Sequence, residues 1–488
     1  EEIISKVIFE SVDDGSFFYP LIKFFSALDI SNSLNPKIKN LEILPIPFGS
    51  IIIHTFFYKF LNIYGLIFVD LLGIFLFLII FYYIFLFFNT SNASLLLSVI
   101  FFSLSILLTF FLKDYNFIPL NQFKNFFTLR VHRPFPSNLY MFFYIYIILL
   151  MSQSLIFRKK YFLLLGTVMG LTFSSFYYFF LIQVLSFLFL VIYKLKFNFV
   201  SETIKNIKCI IIFLISFLIV SAPFIWVLIH HEKDLTIGAG VFDLDYQKKL
   251  ILIKYLLSKI FTIKFIIFNL VIVIYSVYLN VRKTPNYKIL NIFNIVYISS
   301  VIAPFLFLIL SNKSGILYHF NNNIVIFGFL SLLVAMIISF KNLVNFFSKK
   351  LIFFIFLFCI FGIYLKSELN NKKNVNLTRI EFNKITKIIK NKNHNNYYNS
   401  ILTFDDQFMI WSVLNRKIEY LSLTYAGLTP KSFDLIENDL IHVFKFLNLN
   451  SHDWLKFLKN KKNSWKYFNS QVADFFSLRY MANIVKYI

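Results

Sequence analysis

Two adjacent aspartates near the start of the chain, Asp13 and Asp14, are the residues best suited to acid–base chemistry. They stand out because the chain has only 24 acidic residues among 488, and 58% of its residues are hydrophobic. A carboxylate can take a proton from an attacking hydroxyl, and a carboxylate pair can hold Mg²⁺ or Mn²⁺. Both uses stay open. The alternative is that the two aspartates have no chemical role and lie in a solvated loop beside a membrane.

A second cluster that could do chemistry is Arg130-Val131-His132-Arg133, placed just before an apolar run that starts at Asn138. The planar guanidinium fork of arginine matches the oxygens of a phosphate or pyrophosphate. The cluster therefore predicts a phosphate-binding site, with His132 between the two arginines. An anchor for lipid headgroups is the alternative.

Two further polar residues, Lys313 and His319, lie where another apolar run begins. We expect His319 and Lys313 to supply additional phosphate or sugar contacts. Residues at the membrane interface would produce the same pattern, because aromatic and basic side chains gather there.

The composition predicts a polytopic membrane protein. The chain has 68 phenylalanines and a formal net charge of +24, but its basic residues flank apolar runs instead of forming one stripe. Membrane topology explains that arrangement better than binding to nucleic acid. The sequence has no Walker loop, Gly-x-Ser-x-Gly elbow or His-Glu-x-x-His motif, which disfavours nucleotide hydrolysis and serine or zinc hydrolysis.

The elements that must position these residues are apolar helices. The run 48–61 is too short to span and predicts an interfacial or re-entrant helix that ends near Tyr64-Gly65. The run 161–193 is ambiguous, because it is long enough for one tilted helix or two short ones. The predicted spans are 66–88, 93–112, 138–157, 207–229, 258–280, 289–311, 322–340 and 350–365.

Loop charge decides how the run 161–193 crosses. Basic residues cluster at 158–160, 194–208, 282–288 and 341–350, against the single acid Glu202. Two crossings put all four clusters on one face, which the positive-inside rule makes cytoplasmic. The aspartate pair, the arginine cluster, the loop 230–249 and the loop 312–320 then share the other face.

The chain divides into two predicted domains. Residues 1–365 form a transmembrane helical bundle, with a first external loop at 1–62 and spans from 66 to 365. Residues 366–488 form a small soluble α/β domain on the non-cytoplasmic side, with strands at 401–404 and 418–423. Because the chain starts at Glu1 without a basic and apolar leader, we expect a preceding segment that includes a first span.

This arrangement resembles the integral-membrane glycosyltransferases of the GT-C superfamily. The likeness rests on the acidic pair Asp13-Asp14 in a first external loop, the juxtamembrane segment that runs from Pro47 through Leu61 to Gly65, Arg133-Pro134 before a later span, and the stretch Gly166 to Tyr178. It covers roughly residues 1–365. The tail resembles none of the well-known soluble domains of these enzymes.

The resemblance implies that Asp13 or Asp14 acts as base or metal ligand, and that Arg130 and Arg133 hold the phosphate of a polyprenyl-phosphate-linked sugar. We therefore expect transfer of a hexose or pentose to an acceptor glycan, lipid or protein outside the bacterial inner (plasma) membrane. A transporter or flippase of a lipid-linked or anionic substrate is the alternative; Asp70, Gln183 and Asn269 are the polar residues within spans that it could use.

Overall fold

The computed structural model describes residues 48–87, 93–99, 135–154, 156–230, 245–282, 287–311 and 318–339, with short pieces at 22, 25–26, 242–243, 313–314, 401–402 and 420–421. This part of the chain is almost entirely helical, as the apolar runs predict. Its helices are α1 Phe48–Leu61, α2 Ile63–Leu86, α3 Phe135–Gln153, α4 Lys159–Phe173, α5 Tyr177–Leu195, α6 Phe199–Lys205, α7 Ile207–His230, α8 Tyr246–Ile260, α9 Ile263–Val281, α10 Tyr287–Leu310 and α11 Tyr318–Ser339. Residues 93–99 are also helical.

Four of the described helical segments are long and apolar enough to cross a membrane, which indicates a membrane protein. They are Tyr64–Leu86, Tyr177–Leu195, Ile207–Trp226 and Tyr287–Leu310. Shorter apolar segments occur in α1, α3, α9 and α11. The predicted spans 350–365 and most of 93–112 lie outside the described residues.

The segment 161–193 forms two helices, as predicted from loop charge. α4 and α5 run antiparallel, because Phe162 meets Phe187 at 5.9 Å between ring centroids and Phe173 meets Phe180 at 5.0 Å. The last carbonyls of a helix have no hydrogen-bond partner within that helix. In the last turn of α4, the carbonyl of Leu171 accepts a hydrogen bond from the Ser175 hydroxyl at 2.6 Å, which stabilises the break.

The predicted span 258–280 needs correction. A separate helix, α8, occupies residues 246–260, and the apolar helix α9 begins only at Ile263 after a turn at 261–262. Four lysines interrupt the apolar pattern of α8, so its sequence resembles a loop followed by the start of a span. A basic amphipathic helix of this kind is typical of membrane surfaces.

The core lies around α3, which is covered on most of its surface. Phe142, Tyr144, Ile145, Ile148 and Leu149 are at most 1% exposed. α2 packs on one side of α3 through Phe81 and Phe142, whose centroids are 4.6 Å apart, and α4 and α5 pack on other sides.

Short strand pairs join distant parts of the chain. β1, Phe242–Asp243, is antiparallel to β2, Lys313–Ser314. β3, Ile401–Leu402, is parallel to β4, Tyr420–Leu421, within the two ranges predicted as strands of the tail. The rest of 366–488 lies outside the described residues, so the α/β domain and the boundary at 365 stay predictions.

Candidate functional site

Most of the residues predicted to form the site lie outside the described part of the chain. This applies to Asp13, Asp14, Arg130, His132 and Arg133. For Lys313 and His319 only the backbone is described, in β2 and in the first turn of α11. The structure therefore describes α3 and α11, which adjoin these residues in the sequence.

Basic residues gather at one end of the helices, which we call the basic end. Lys194 at the end of α5 donates to the carbonyl of Ser152 at the end of α3. The Asn291 side chain in α10 donates to the Tyr193 hydroxyl at 3.2 Å, so α10 starts at the same end. Three of the four predicted basic clusters thus share one end, and the cluster 341–350 lies outside the described residues.

α7 also starts at the basic end. Gly166 of α4 faces Ser216 of α7, and Gly170 faces Val220, so the two helices run parallel. Lys208 in α7 therefore lies at the same end as Arg158, which precedes α4.

At the other end, which we call the opposite end, α1 joins the break between α4 and α5. The Gly49 N–H donates to the carbonyl of Ser174 at 3.0 Å, and the Tyr140 hydroxyl donates to the carbonyl of Gly49 at 3.2 Å. Tyr140 lies about 7.5 Å along α3 from Phe135, which follows Arg133 by two positions. α1, which follows Asp14 by 34 positions in the sequence, therefore meets α3, which follows Arg133 by two.

Two more of the predicted loops meet at the opposite end. Tyr177 at the start of α5 and Phe307 near the end of α10 are 5.8 Å apart between ring centroids. Beyond Phe307, β2 pairs with β1, with Asp243 in register with Lys313. The loops 230–249 and 312–320, predicted to share a face, are thus joined by backbone hydrogen bonds.

A buried polar network connects α3, α4 and α5 between the two ends. The Tyr144 hydroxyl donates to the carbonyl of Gln183 at 2.7 Å and contacts the Ser186 hydroxyl at 2.8 Å. The Gln183 amide donates to the Thr172 hydroxyl at 3.1 Å, whereas its own Oε1 has no hydrogen-bond partner. The network holds amide and hydroxyl groups and no charge, so it suits helix association better than proton transfer.

A second polar network joins α9, α10 and α11. Asn280 and Asn291 exchange amide hydrogen bonds at 3.1 and 3.2 Å. Asn294 donates to the Ser276 hydroxyl at 3.1 Å and accepts a hydrogen bond from the Ser331 hydroxyl of α11. Asn269 accepts from the Tyr297 hydroxyl and donates to the carbonyl of Phe265.

Sequence reasoning missed His54 and Tyr58, which lie one turn apart on the buried side of α1 and are 3% and 7% exposed. Burial raises the pKa of the Tyr58 hydroxyl, which further favours its protonated form, a hydrogen-bond donor. The available signal was a histidine within the apolar run Ile51–Leu61, in the helix that follows the acidic loop.

No cluster of three or more histidine, cysteine or carboxylate side chains that could hold a metal occurs in the part of the chain that the structure describes. The aspartates predicted as Mg²⁺ or Mn²⁺ ligands lie outside that part. A metal requirement therefore stays a prediction.

Comparison with protein-family models, with curated proteins and with solved structures finds no match to this chain.

Proposed function

We propose that this protein is a membrane glycosyltransferase that moves a sugar from a polyprenyl-phosphate carrier to an acceptor hydroxyl outside the membrane. The observation that carries the proposal is the hydrogen bond from Tyr140 to Gly49. It supports a common location for the acidic loop, which precedes α1, and the arginine cluster, which precedes α3.

In this mechanism Asp13 or Asp14 accepts the proton of the acceptor hydroxyl as that oxygen attacks the sugar. Arg130 and Arg133 stabilise the charge that develops on the departing lipid phosphate. Because α11 starts at the opposite end, His319 and Lys313 are further candidates for contact with phosphate or sugar, and His132 completes the cluster.

A metal would act at the same place. If Mg²⁺ or Mn²⁺ is required, Asp13 and Asp14 would hold it through carboxylate oxygens, which both ions prefer. It would supply positive charge next to the phosphate.

The test is transfer from a panel of polyprenyl-phosphate hexoses and pentoses in proteoliposomes, with release of the free lipid phosphate as the readout. Asp13→Asn and Asp14→Asn, alone and together, should reduce release by at least about 100-fold for the residue that acts as base. Asp234→Asn, in another loop predicted on the same face, is the matched control. Full activity in the double variant would rule out the assignment.

The alternative proposal is a transporter or flippase of a lipid-linked or anionic substrate. The observation in its favour is the polar network along α9, α10 and α11. That network is internally hydrogen-bonded at Asn269, Asn280 and Asn291, which matches a structural role. Movement of a fluorescent lipid-linked sugar across the bilayer without release of lipid phosphate would favour the transporter.

A further inference from the structure

An apolar groove of about 410 Å³ lies between α4, α5 and α7. All of its lining side chains are apolar, and half of them are phenylalanines. Leu188 and Leu214, on opposite walls, are 42% and 48% exposed, so the groove is open on the side that faces away from the bundle. A groove of this size and composition suits a hydrocarbon chain.

The groove exists because α7 packs closely on α4 but only loosely on α5. Gly166 and Gly170 let the backbone of α7 approach α4, as small residues do between membrane helices. α5 and α7 meet through larger side chains, with Phe180 and Phe217 stacked at 5.5 Å. The space between α5 and α7 therefore remains as a channel whose floor is α4.

One end of the groove lies at the basic end. Phe157 and Ile210 line it there, and their near neighbours in the chain are the exposed cations Arg158, Lys160 and Lys208. The nearby acid Glu202 pairs with Lys205 at 2.9 Å, so it does not neutralise these three. An unbalanced positive rim beside an apolar groove is complementary to a lipid with an anionic headgroup.

We propose that this groove binds one acyl chain of an anionic phospholipid, whose phosphate lies among Arg158, Lys160 and Lys208. The groove extends from Ile210 to Phe217 along α7, which is about 10 Å of helix. This length accommodates the part of a membrane acyl chain that is nearest to the headgroup. The lipid is distinct from the sugar donor, because the proposed transfer site lies at the opposite end.

The test uses the full chain in phosphatidylcholine nanodiscs that contain a small fraction of phosphatidylglycerol with a photoactivatable group in one acyl chain. Peptides of α5 and α7 around Leu188 and Leu214 should be labelled several-fold more by this lipid than by photoactivatable phosphatidylcholine. Unlabelled phosphatidylglycerol should compete, and unlabelled phosphatidylcholine should not. Equal labelling by the two lipids would overturn the proposal.

Two sets of variants separate the groove from the general lipid surface. Leu188→Trp with Leu214→Trp fills the groove and should reduce labelling several-fold, whereas Ile219→Trp, at a position 70% exposed on α7, should leave it unchanged. Arg158→Gln, Lys160→Gln and Lys208→Gln, all at exposed positions, should together remove the preference for phosphatidylglycerol. A preference that survives the charge variants would overturn the headgroup assignment, even if the tryptophan pair fails to fold.

Discussion

Gly49 donates its backbone N–H to the carbonyl of Ser174, at 3.0 Å, in the break between α4 and α5. A side chain at position 49 would place its Cβ 2.7 Å from the carbonyl oxygen of Leu171 and 2.7 Å from the Ser174 hydroxyl oxygen. Glycine is therefore required for α1 to approach the hairpin. This contact fixes the start of α1, which follows Asp13 and Asp14 in the sequence.

Replacing Gly49 with valine should destabilise the packing of α1 on the hairpin. The added atoms meet backbone that cannot move away, and overpacking of this kind costs about 1–3 kcal/mol. Thermal unfolding in detergent should show a lower midpoint. Ile52→Val, on the exposed side of the same helix, is the control, and equal midpoints for the two variants would contradict the close approach.

Gly166 is the corresponding position between α4 and α7. A Cβ there would collide with the Ser216 hydroxyl oxygen and with the carbonyl oxygen of Phe213. Gly166→Ile should therefore separate the helices and lower the free energy of unfolding by about 1–3 kcal/mol.

The measurement for Gly166→Ile is denaturation in mixed micelles, compared with Leu163→Ala on the exposed side of α4. The control removes apolar surface that faces away from α7, so its effect should be small. An undisturbed midpoint for Gly166→Ile would show that α7 can move away from α4 at little cost.

The reciprocal amide pair of Asn280 and Asn291 should be coupled energetically. Hydrogen bonds between membrane helices average about 0.6 kcal/mol and reach about 1.7 kcal/mol in double-mutant cycles. We expect a coupling in this range for Asn280→Leu and Asn291→Leu, measured by unfolding of both single variants and the double variant.

The control cycle for this pair combines Asn280→Leu with Asn269→Leu. Asn269 lies about three turns away on the same helix and bonds to Tyr297, so the two effects should add. Additive effects in the cycle of Asn280 and Asn291 would mean that the amide pair contributes nothing to association of α9 and α10.

Much of the helical architecture could be predicted, because an apolar run whose helical length matches the thickness of a bilayer indicates a membrane-spanning helix. Loop charge also identified the hairpin within 161–193. The position of the break could not be predicted, since Gly166, Gly170, Ser174 and Ser175 all looked able to interrupt a helix. The two glycines instead serve contact with α7, and the break occupies residues 174–176.

The polar networks could not be predicted, because a single sequence does not show which helices pack together. Gln183 stands out in an apolar run, but Tyr144 and Thr172 become its neighbours only through the packing of three helices. α8 was missed because its lysines resemble a loop. Asp13, Asp14, Arg130 and Arg133 stay predictions whose chemistry follows from residue type and resemblance.

The orientation of the bundle gives the final prediction. If the positive-inside rule holds, Ser201, exposed in α6 at the basic end, faces the cytoplasm, and Tyr246, exposed at the start of α8 after β1, faces outward. In a background with Cys209→Ser and Cys359→Ser, an impermeant maleimide added to intact cells should label Tyr246→Cys and not Ser201→Cys. Permeabilised cells supply the control, because both positions should then react. Labelling of Ser201→Cys alone in intact cells would invert the orientation and would place α1, the arginine cluster and the proposed transfer site on the cytoplasmic side.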